Sequence, residues 1–467
     1  MKRVSCKLRK LFSLVSYIFL IGAVSSFSIY GIERPNIILI FVDDLGYGDL
    51  GCYGSSLNTP NIDRLASQGL RATDCQVAAN VCGPSRASLM TGRYPMRAGH
   101  PISRHNTTKY ANYGIAPEEL TMAELLKTAG YYNKMIGKWH LGFHVKGSHP
   151  LDAGFDEYLG LHGNYATDKK DADTLYHNRK VKDEKVNFTK VTKLYTDEAV
   201  SFIKGKYEKP FFLYFSHHIA HTPILPSAPF KGSAAKKSGK YGDFLLELDH
   251  SVGQVLKAVQ DKGIIDNTLI VFMSDNGPAR FGSAKPLNGG KYVTLEGGHR
   301  VPAIFNWPGR IPAQQVCHEL ITSMDLLPLF CHVAKASLPN DRKLDGKNII
   351  NLLTGTDPNS PHDYFYYYNG LNLQAVRKGK WKLHLPRTVA DQPYWGIKKK
   401  RYASLNQPLL FNLHQDIGEK KNVIQQHPEI KTELLKKAEQ VRAELGDVNI
   451  IGSDQRPHGL VDPNIKG

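Results

Sequence analysis

Acidic residues are in deficit: 43 Asp and Glu stand against 60 Lys and Arg, so the chain of 467 residues carries a formal charge of +17 at pH 7. Such an excess favours polyanionic partners, of which nucleic acid, an anionic membrane surface and a sulfated polysaccharide are the three classes. A single cluster such as Lys398-Lys399-Lys400-Arg401 reads equally well as ordinary solvated surface. Cysteine is scarce, six in all, and no Cys-x-x-Cys pair occurs, which argues against a zinc site. Four of them, Cys52, Cys75, Cys317 and Cys331, admit three disulfide pairings among which the sequence does not choose. No acid occurs among the first 26 residues, where Lys2, Arg3, Lys7, Arg9 and Lys10 precede an apolar run at 11–24 and then Ser25, Ser26 and Ser28. That order is the order of a secretory leader, over 1–28. The run is short for a bilayer span, so no stable membrane insertion is expected after leader removal, with a retained N-terminal anchor as the alternative, and no Leu-x-x-Cys lipoprotein signal follows it. Losing the five basic residues leaves +12, still clearly basic. Internal repeats and long low-complexity stretches are absent.

A hydrophobic content of 41% is enough for a large core, as one big domain with a smaller one. Asn36–Val42 is a continuous apolar run ending in Asp43-Asp44, the pattern of a parallel strand buried on both faces with acids at its carboxyl end. Similar strands are predicted at 210–216, running into His217, His218 and His221, and at 269–273, delivering Ser274-Asp275-Asn276-Gly277. Helices are predicted over 60–69, 118–130 and 245–262, with a short strand at 131–136. Three buried strands ending in polar clusters predict an α/β fold, a doubly wound and mostly parallel sheet flanked by helices, with one active-site edge. Beyond about residue 344, strands at 364–368 and 374–385, turning at Arg377-Lys378-Gly379-Lys380, and an amphipathic helix at 430–445 predict a smaller antiparallel sheet-plus-helix subdomain. The expected division is leader 1–28, catalytic domain 33–345 and C-terminal subdomain 346–467. If their strands are neighbours, Asp43, Asp44, Asp275 and Asn276 bring four hard oxygen ligands together, which suits calcium or magnesium. Taken singly, each pair is an ordinary turn or cap.

The run Cys82-Gly83-Pro84-Ser85-Arg86, followed by Ala87-Ser88-Leu89-Met90-Thr91-Gly92-Arg93, resembles the signature of the type I, formylglycine-dependent sulfatases, arylsulfatase-like members of the alkaline phosphatase-like superfamily. The resemblance implies that Cys82 is oxidised by a formylglycine-generating maturation enzyme to 3-oxoalanine, whose hydrated aldehyde is the nucleophile. An unmodified thiol would end as a stable thiosulfate ester, whereas a geminal diol takes sulfate on one oxygen and expels it with the other. The strand-end acids match the family's metal set, which implies one calcium ion, in preference to magnesium, held by Asp43, Asp44, Asp275 and Asn276 with the modified Cys82. Gly130-Tyr131-Tyr132-Asn133-Lys134-Met135-Ile136-Gly137-Lys138-Trp139-His140 resembles a second family element supplying Lys138 and His140, with Asn133 where Ser or Thr is usual. His221 matches the histidine facing the leaving-group oxygen, and Lys291 the second sulfate-binding lysine. Arg86 is implied to hold the diol, Asp275 to take the attacking proton and His140 the second one. The stretch from Gly154 to Asn164 resembles a segment leading to a substrate loop, which makes His162 and Asn164 substrate-contact candidates. Leu410-Phe411-Asn412-Leu413-His414-Gln415-Asp416, with Glu419 and Asn422, resembles the family's C-terminal segment.

The expected activity is hydrolysis of a sulfate ester by an exported enzyme, periplasmic or secreted, or lysosomal in a eukaryote. The basic charge, the absence of a long hydrophobic hairpin and abundant aromatics, including Tyr364 to Tyr368, Trp381 and Trp395, able to stack on sugars, favour a sulfated carbohydrate over a sterol or lipid, while export and the Cys82 motif set nucleic acid aside. Asn106-Thr107-Thr108 and Asn187-Phe188-Thr189 fit the glycosylation acceptor. Two rivals stand beside this reading. A phosphomonoester or phosphonate hydrolase of the same superfamily usually carries Ser or Thr and more metal ligands. A non-catalytic binder of sulfated glycans would have lost Cys82, Arg86, Asp275 or Lys138.

Overall fold

The strands of the main sheet are, in chain order, β1 (Asn36–Val42), β2 (Leu70–Gln76), β3 (Tyr132–Gly137), β4 (Glu157–Gly160), β5 (Leu175–His177), β6 (Lys180–Asp183), β7 (Phe211–Ser216), β8 (Thr268–Ser274), β9 (Arg300–Asn306), β10 (Gln315–Cys317) and β11 (Ile321–Thr322). They belong to a computed structural model that describes residues 34–103, 113–142, 147–163, 173–388 and 404–457. Spatial order is β10-β2-β9-β8-β1-β7-β3-β4-β5-β6, with β11 also on β2. The five central strands, β8-β1-β7-β3-β4, are all parallel, whereas β9, β5 and β6 run antiparallel to their neighbours.

Period-two alternation sends successive side chains of β1 to opposite faces. Ile37, Leu39 and Phe41 pack in one core with residues of the helices Cys82–Thr91, Met122–Thr128 and Leu326–Ala334. Ile38, Ile40 and Val42 pack in a second core with the helices Pro60–Ser67, Phe188–Lys204 and Gly239–Asp261. All six are fully buried, and each such side chain contributes about 1.5–3 kcal/mol. That anchorage on both faces holds the strand rigidly enough to present two carboxylates, Asp43 and Asp44, inside the protein.

The helix expected over 118–130 starts later, at Met122, because Thr121 caps it: its hydroxyl accepts from Glu124 N–H while the Glu124 carboxylate accepts from Thr121 N–H. The helix expected over 245–262 starts earlier, at Gly239, since its first turn is polar and glycine-rich. β2, with the sequence LRATDCQ, and β9, which contains Pro302, carry no plain apolar run, yet both are almost wholly buried.

The C-terminal sheet has the order β12 (Tyr364–Asn369), β13 (Asn372–Lys378), β14 (Trp381–His384) and β15 (Leu409–Asn412), all antiparallel, with Gly379 at φ 50° in the β13–β14 turn. It packs on the helix Pro428–Leu445 through Leu434, Ala438 and Val441, and the same cluster takes in Tyr94, Met96 and Met324 from the large sheet's side. Tyr367 and Tyr368 are core residues here, and Tyr364 and Trp381 pack against that cluster. The sugar-stacking role expected of this run is therefore corrected for Tyr367 and Tyr368, whose faces are buried in the subdomain interior, while Tyr364 and Trp381 are only partly buried. Trp395 and the basic run at 398–401 lie outside the described residues. None of the described cysteines is disulfide-bonded.

Candidate active site

β3, β7, β1 and β8 are adjacent and parallel, so their carboxyl ends form one edge, where ligands of open α/β sheets bind. β1 ends in Asp43 and Asp44, β8 in Asp275 and Asn276, β3 in Lys138 and β7 in Ser216. Gly137 permits the exit from β3: its φ is 111°, and a Cβ there would fall 1.8 Å from the Ser216 carbonyl oxygen. A larger residue would push Lys138 off the edge.

Cys82 opens the helix Cys82–Thr91 after extended Val81, and Gly92, at φ 65°, closes it. Cys82 and Arg86, four residues apart, share one helix face. Arg86 is fully buried. Its Nη2 donates to Asp275 Oδ2 at 2.8 Å and lies 3.8 Å from Asp43 Oδ2. Its Nη1 donates to Ser216 Oγ at 2.5 Å and to the Lys138 carbonyl at 3.1 Å. Ser216 Oγ in turn donates to that carbonyl at 2.7 Å, a clamp on Arg86 that sequence reasoning missed although Ser216 ends a predicted strand.

Lys138 Nζ donates to Asp43 Oδ2 at 2.5 Å. Lys291 Nζ lies 2.7 Å from Asp44 Oδ1, 2.8 Å from Oδ2 and 3.7 Å from Cys82 Sγ. Asn276 Nδ2 donates to Asp44 Oδ1 at 2.7 Å, and Asp44 N–H to Asp275 Oδ1 at 3.1 Å. One ligand atom each from Asp43, Cys82 and Asp275, and likewise from Asp43, Asp44 and His221, falls within 4.8 Å of the others. Asp44 and His140 both hold left-handed backbones, φ 60° and 61°, a conformation uncommon outside glycine and found at functional positions.

The residues fit a hard cation. Asp43 Oδ1 and Asn276 Oδ1 are buried and accept no hydrogen bond, which an oxygen-seeking dication would remedy. Asp43, Asp44 and Asp275 offset Lys138, Lys291 and Arg86 charge for charge, so a dication leaves a positive excess for an anionic substrate. Burial opposes charging Asp43, but Lys138 above all, with Arg86 and Lys291, holds its carboxyl well below the usual range. Burial, then the neighbouring Asp43, pushes Asp275 up to about 7, a repulsion that a cation between them relieves.

The histidines are neutral for a common reason. Burial first, then Lys138 and Arg86, keeps His140 well below its ordinary value, and both its ring nitrogens are buried without a hydrogen-bond partner. Burial and Lys291 lower His221. Its Nδ1 donates to the Thr222 carbonyl at 2.7 Å, which turns Nε2 toward Asp44 Oδ2, 3.8 Å away. His217 and His218 are buried too, His217 Nε2 lying 3.1 Å from Ser251 Oγ. Burial pushes the Cys82 thiol up despite Lys138 and Lys291, so as a plain cysteine it is a weak nucleophile.

His162 stands apart from this cluster in its contacts. Its ring stacks on Tyr176 with centroids 3.7 Å apart, and its carbonyl accepts from His140 N–H at 2.7 Å, so it braces the His140 turn. Asn164 lies outside the described residues. Asn133, the departure from the expected motif, is buried, with Nδ2 donating to the Ala123 and Gly154 carbonyls at 2.7 and 2.9 Å, where a serine hydroxyl could serve only one. Asn80, two residues before Cys82, buries a side-chain amide with no hydrogen-bond partner. It was missed because one Asn in a loop carries no pattern.

A family model described as "Sulfatase" matches residues 35–336, and one described as "C-terminal region of aryl-sulfatase" matches residues 360–457. The chain is 40% identical over 380 residues to N-acetylgalactosamine-6-sulfatase of Canis lupus familiaris, covering 75% of this chain and 72% of that protein. It is 36% identical over 480 residues to arylsulfatase A of Homo sapiens, covering 91% of each. The crystal structure of Ps i-CgsB in complex with k-i-k-neocarrahexaose superposes with a TM-score of 0.78 at 31% identity, over 91% of this chain and 94% of that one. On its matched family models, its relatives along nearly the whole length and the fold it shares with them, the chain belongs to the sulfatase family and is a sulfuric ester hydrolase.

Proposed function

We propose that the protein releases inorganic sulfate from a sulfated carbohydrate, using formylglycine made from Cys82 and one calcium ion held by Asp43, Asp44, Asp275, Asn276 and the modified residue. The observation that carries this reading is the convergence of Cys82, three cations and three carboxylates at one buried sheet edge, with one carboxylate oxygen and one amide oxygen left without donors. When bound, calcium and the aldehyde hydrate supply electrophilic charge for the sulfate oxygens and a nucleophilic oxygen that a protonated thiol lacks.

The chain's own groups do the rest. A sulfate ester binds as an anion and gathers negative charge on its bridging oxygen as the S–O bond breaks, so fixed cations and a proton donor are needed. Lys138, Lys291 and Arg86 are the fixed cations, each held in place by a carboxylate. His221 Nε2 is the donor to the leaving oxygen: its Nδ1 bond to Thr222 sets the ring, and an anion arriving beside it raises its proton affinity. Asp275, near neutrality in its proton affinity, takes a proton at a carboxylate oxygen. His140, kept neutral, takes one at a ring nitrogen.

A carbohydrate is favoured by the basic charge of the chain and by the relatives, one an N-acetylgalactosamine-6-sulfatase and one a structure holding a neocarrahexaose. The leader-like first 28 residues favour export to a periplasm or the exterior, or to a lysosome in a eukaryote, and imply a maturation enzyme as partner. No helix among the described residues is long and apolar enough to cross a membrane. Peptide mass spectrometry across Cys82, on protein from its native host or one with a formylglycine-generating enzyme, tests the reading. Conversion to the aldehyde lowers the peptide mass by about 18 Da, as the activated-nucleophile scheme requires. Unmodified Cys82 after passage through a competent host would refute hydrolysis by this route and leave a glycan-binding protein.

A further inference from the structure

Beside His221 the surface changes character. Residues 217–242 contain Lys231, Lys236, Lys237 and Lys240 and no acid. A cavity of about 530 Å³ begins at Thr222 and Pro223, the two residues after His221, and is walled by Lys236, Lys237, Lys240 and Phe281. A second, of about 270 Å³, continues from it, sharing Ile224 and Lys240 and adding Lys231. All four lysines are exposed, and no carboxylate of the described residues pairs with any of them, unlike Lys193 and Lys257, which pair with Asp197 and Asp261. The nearby Asp243 carboxylate is already engaged by the Gly232 and Ala234 N–H groups, and Asp49 by Tyr241, Gly46 and Ser283. Phe281 is 52% exposed at the wall, with the Arg280 guanidinium 5.6 Å from its ring centroid.

We propose that this groove is a binding site for the leaving-group side of a sulfated polysaccharide, so that the enzyme acts within or at the end of a multiply anionic chain rather than on an isolated monosulfated sugar. This inference rests on the sulfate-ester reading above. Three features point one way. The groove starts at Thr222, the residue that follows His221 and whose carbonyl fixes the His221 ring, so it lies next along the chain to the group assigned to protonate the leaving oxygen. Unpaired ammonium groups along its walls suit successive sulfates or carboxylates. An exposed aromatic face beside a guanidinium suits the C–H face of a sugar ring flanked by an anion.

The test compares the wild type with K236Q/K237Q/K240Q and with a charge-matched control at exposed lysines elsewhere, K182Q/K185Q/K347Q. Each is assayed on 4-nitrophenyl sulfate, which leaves the groove empty, and on a defined sulfated hexasaccharide. Exposed charge contacts are individually weak, and three together amount to about tenfold. The groove variant should lose about tenfold in kcat/KM on the hexasaccharide, mostly through KM, and less of its activity should vanish on adding salt. It should keep 4-nitrophenyl sulfate turnover within twofold, and the control should keep both. Equal losses on both substrates, or no loss on the hexasaccharide, overturn the proposal. Retention on immobilised dextran sulfate is read in parallel and does not need turnover. If the wild type releases no sulfate although Cys82 is converted, the hydrolytic reading fails, while weaker retention of the groove variant alone still supports the groove. Retention of the groove variant equal to wild type, or a binding loss as large on a single-stranded DNA column of similar charge density, overturns the assignment to sulfated glycan.

Discussion

Replacing Lys382 by methionine removes one ammonium from the seam between the large sheet and the C-terminal sheet while keeping most of the side-chain volume. Lys382 Nζ donates to Glu296 Oε1 at 2.9 Å, lies 3.0 Å from Glu419 Oε1 and sits 3.8 Å from the centroid of the Tyr367 ring. Lys382, Glu296 and Glu419 are each fully buried. Burial opposes charging both carboxyls, yet Lys382 first, then Arg377 and Arg300 for Glu296 and His384 for Glu419, holds them below the usual range. Without Lys382, Glu296 keeps the Tyr367 hydroxyl at 2.8 Å and two more distant guanidinium groups, and Glu419 keeps His384 at 2.7 Å and the Glu296 N–H at 2.6 Å.

Two like charges are then left in a dry place with their shared counter-ion gone. Breaking a buried ion pair by removing one partner costs about 3–5 kcal/mol. At about 2.1 cal/mol/K per residue, a chain of 467 residues has an unfolding entropy of about 1 kcal/mol/K. The expected fall in Tm is therefore about 3–5 °C, read by scanning calorimetry at pH 7.5. The double variant K382M/E419Q removes the orphaned charge along with its partner and should recover more than half of that fall. A Tm within 1 °C of wild type for K382M, or a double variant that falls by more than either single one, would refute the argument that a shared ammonium holds the seam.

Chelating the proposed calcium ion should abolish sulfate release and lower Tm. At a free ion concentration of a thousand times Kd the lost stabilisation is about 4 kcal/mol, and readdition should restore both; unchanged activity after exhaustive chelation counts against the metal. His221→Ala should lower kcat by about 10²–10⁴ on a sugar sulfate, as loss of a general acid does, and far less on 4-nitrophenyl sulfate, whose leaving oxygen needs no proton; equal losses would remove His221 from that role. His217, lowered to about 3, and His299, lowered to about 4, are both depressed mainly by burial. The unfolded chain therefore takes up protons below about 6.5 that the folded one refuses, and stability falls with pH by about 1.4 kcal/mol per unit for each. Tm should drop by several degrees between pH 7 and 5, and a flat profile would mean that these rings are charged when folded.

What the sequence displays of this fold is set by where its burial lies. β1, β7 and β8 are covered on both faces, so their composition had to be apolar and their polar ends stood out; Asp43, Asp44, Asp275 and Asn276 were legible for that reason. β2 and β9 are buried as well, but β2 contributes Asp74 and Gln76, and β9 Arg300, to the charged seam with Glu296 and Arg377. Their burial is achieved with charges satisfied by residues far along the chain, and no local period records that. Ser216 shows the same limit at the site: it ends a visible strand, but its bond to Arg86 joins residues 130 apart in sequence. The two donor-less oxygens of Asp43 and Asn276 mark the boundary most clearly. A carboxylate and an amide after strands are commonplace in sequence, and only the packed structure reveals that one oxygen of each is buried with no donor on it, in a cluster of acidic groups able to bind a metal ion.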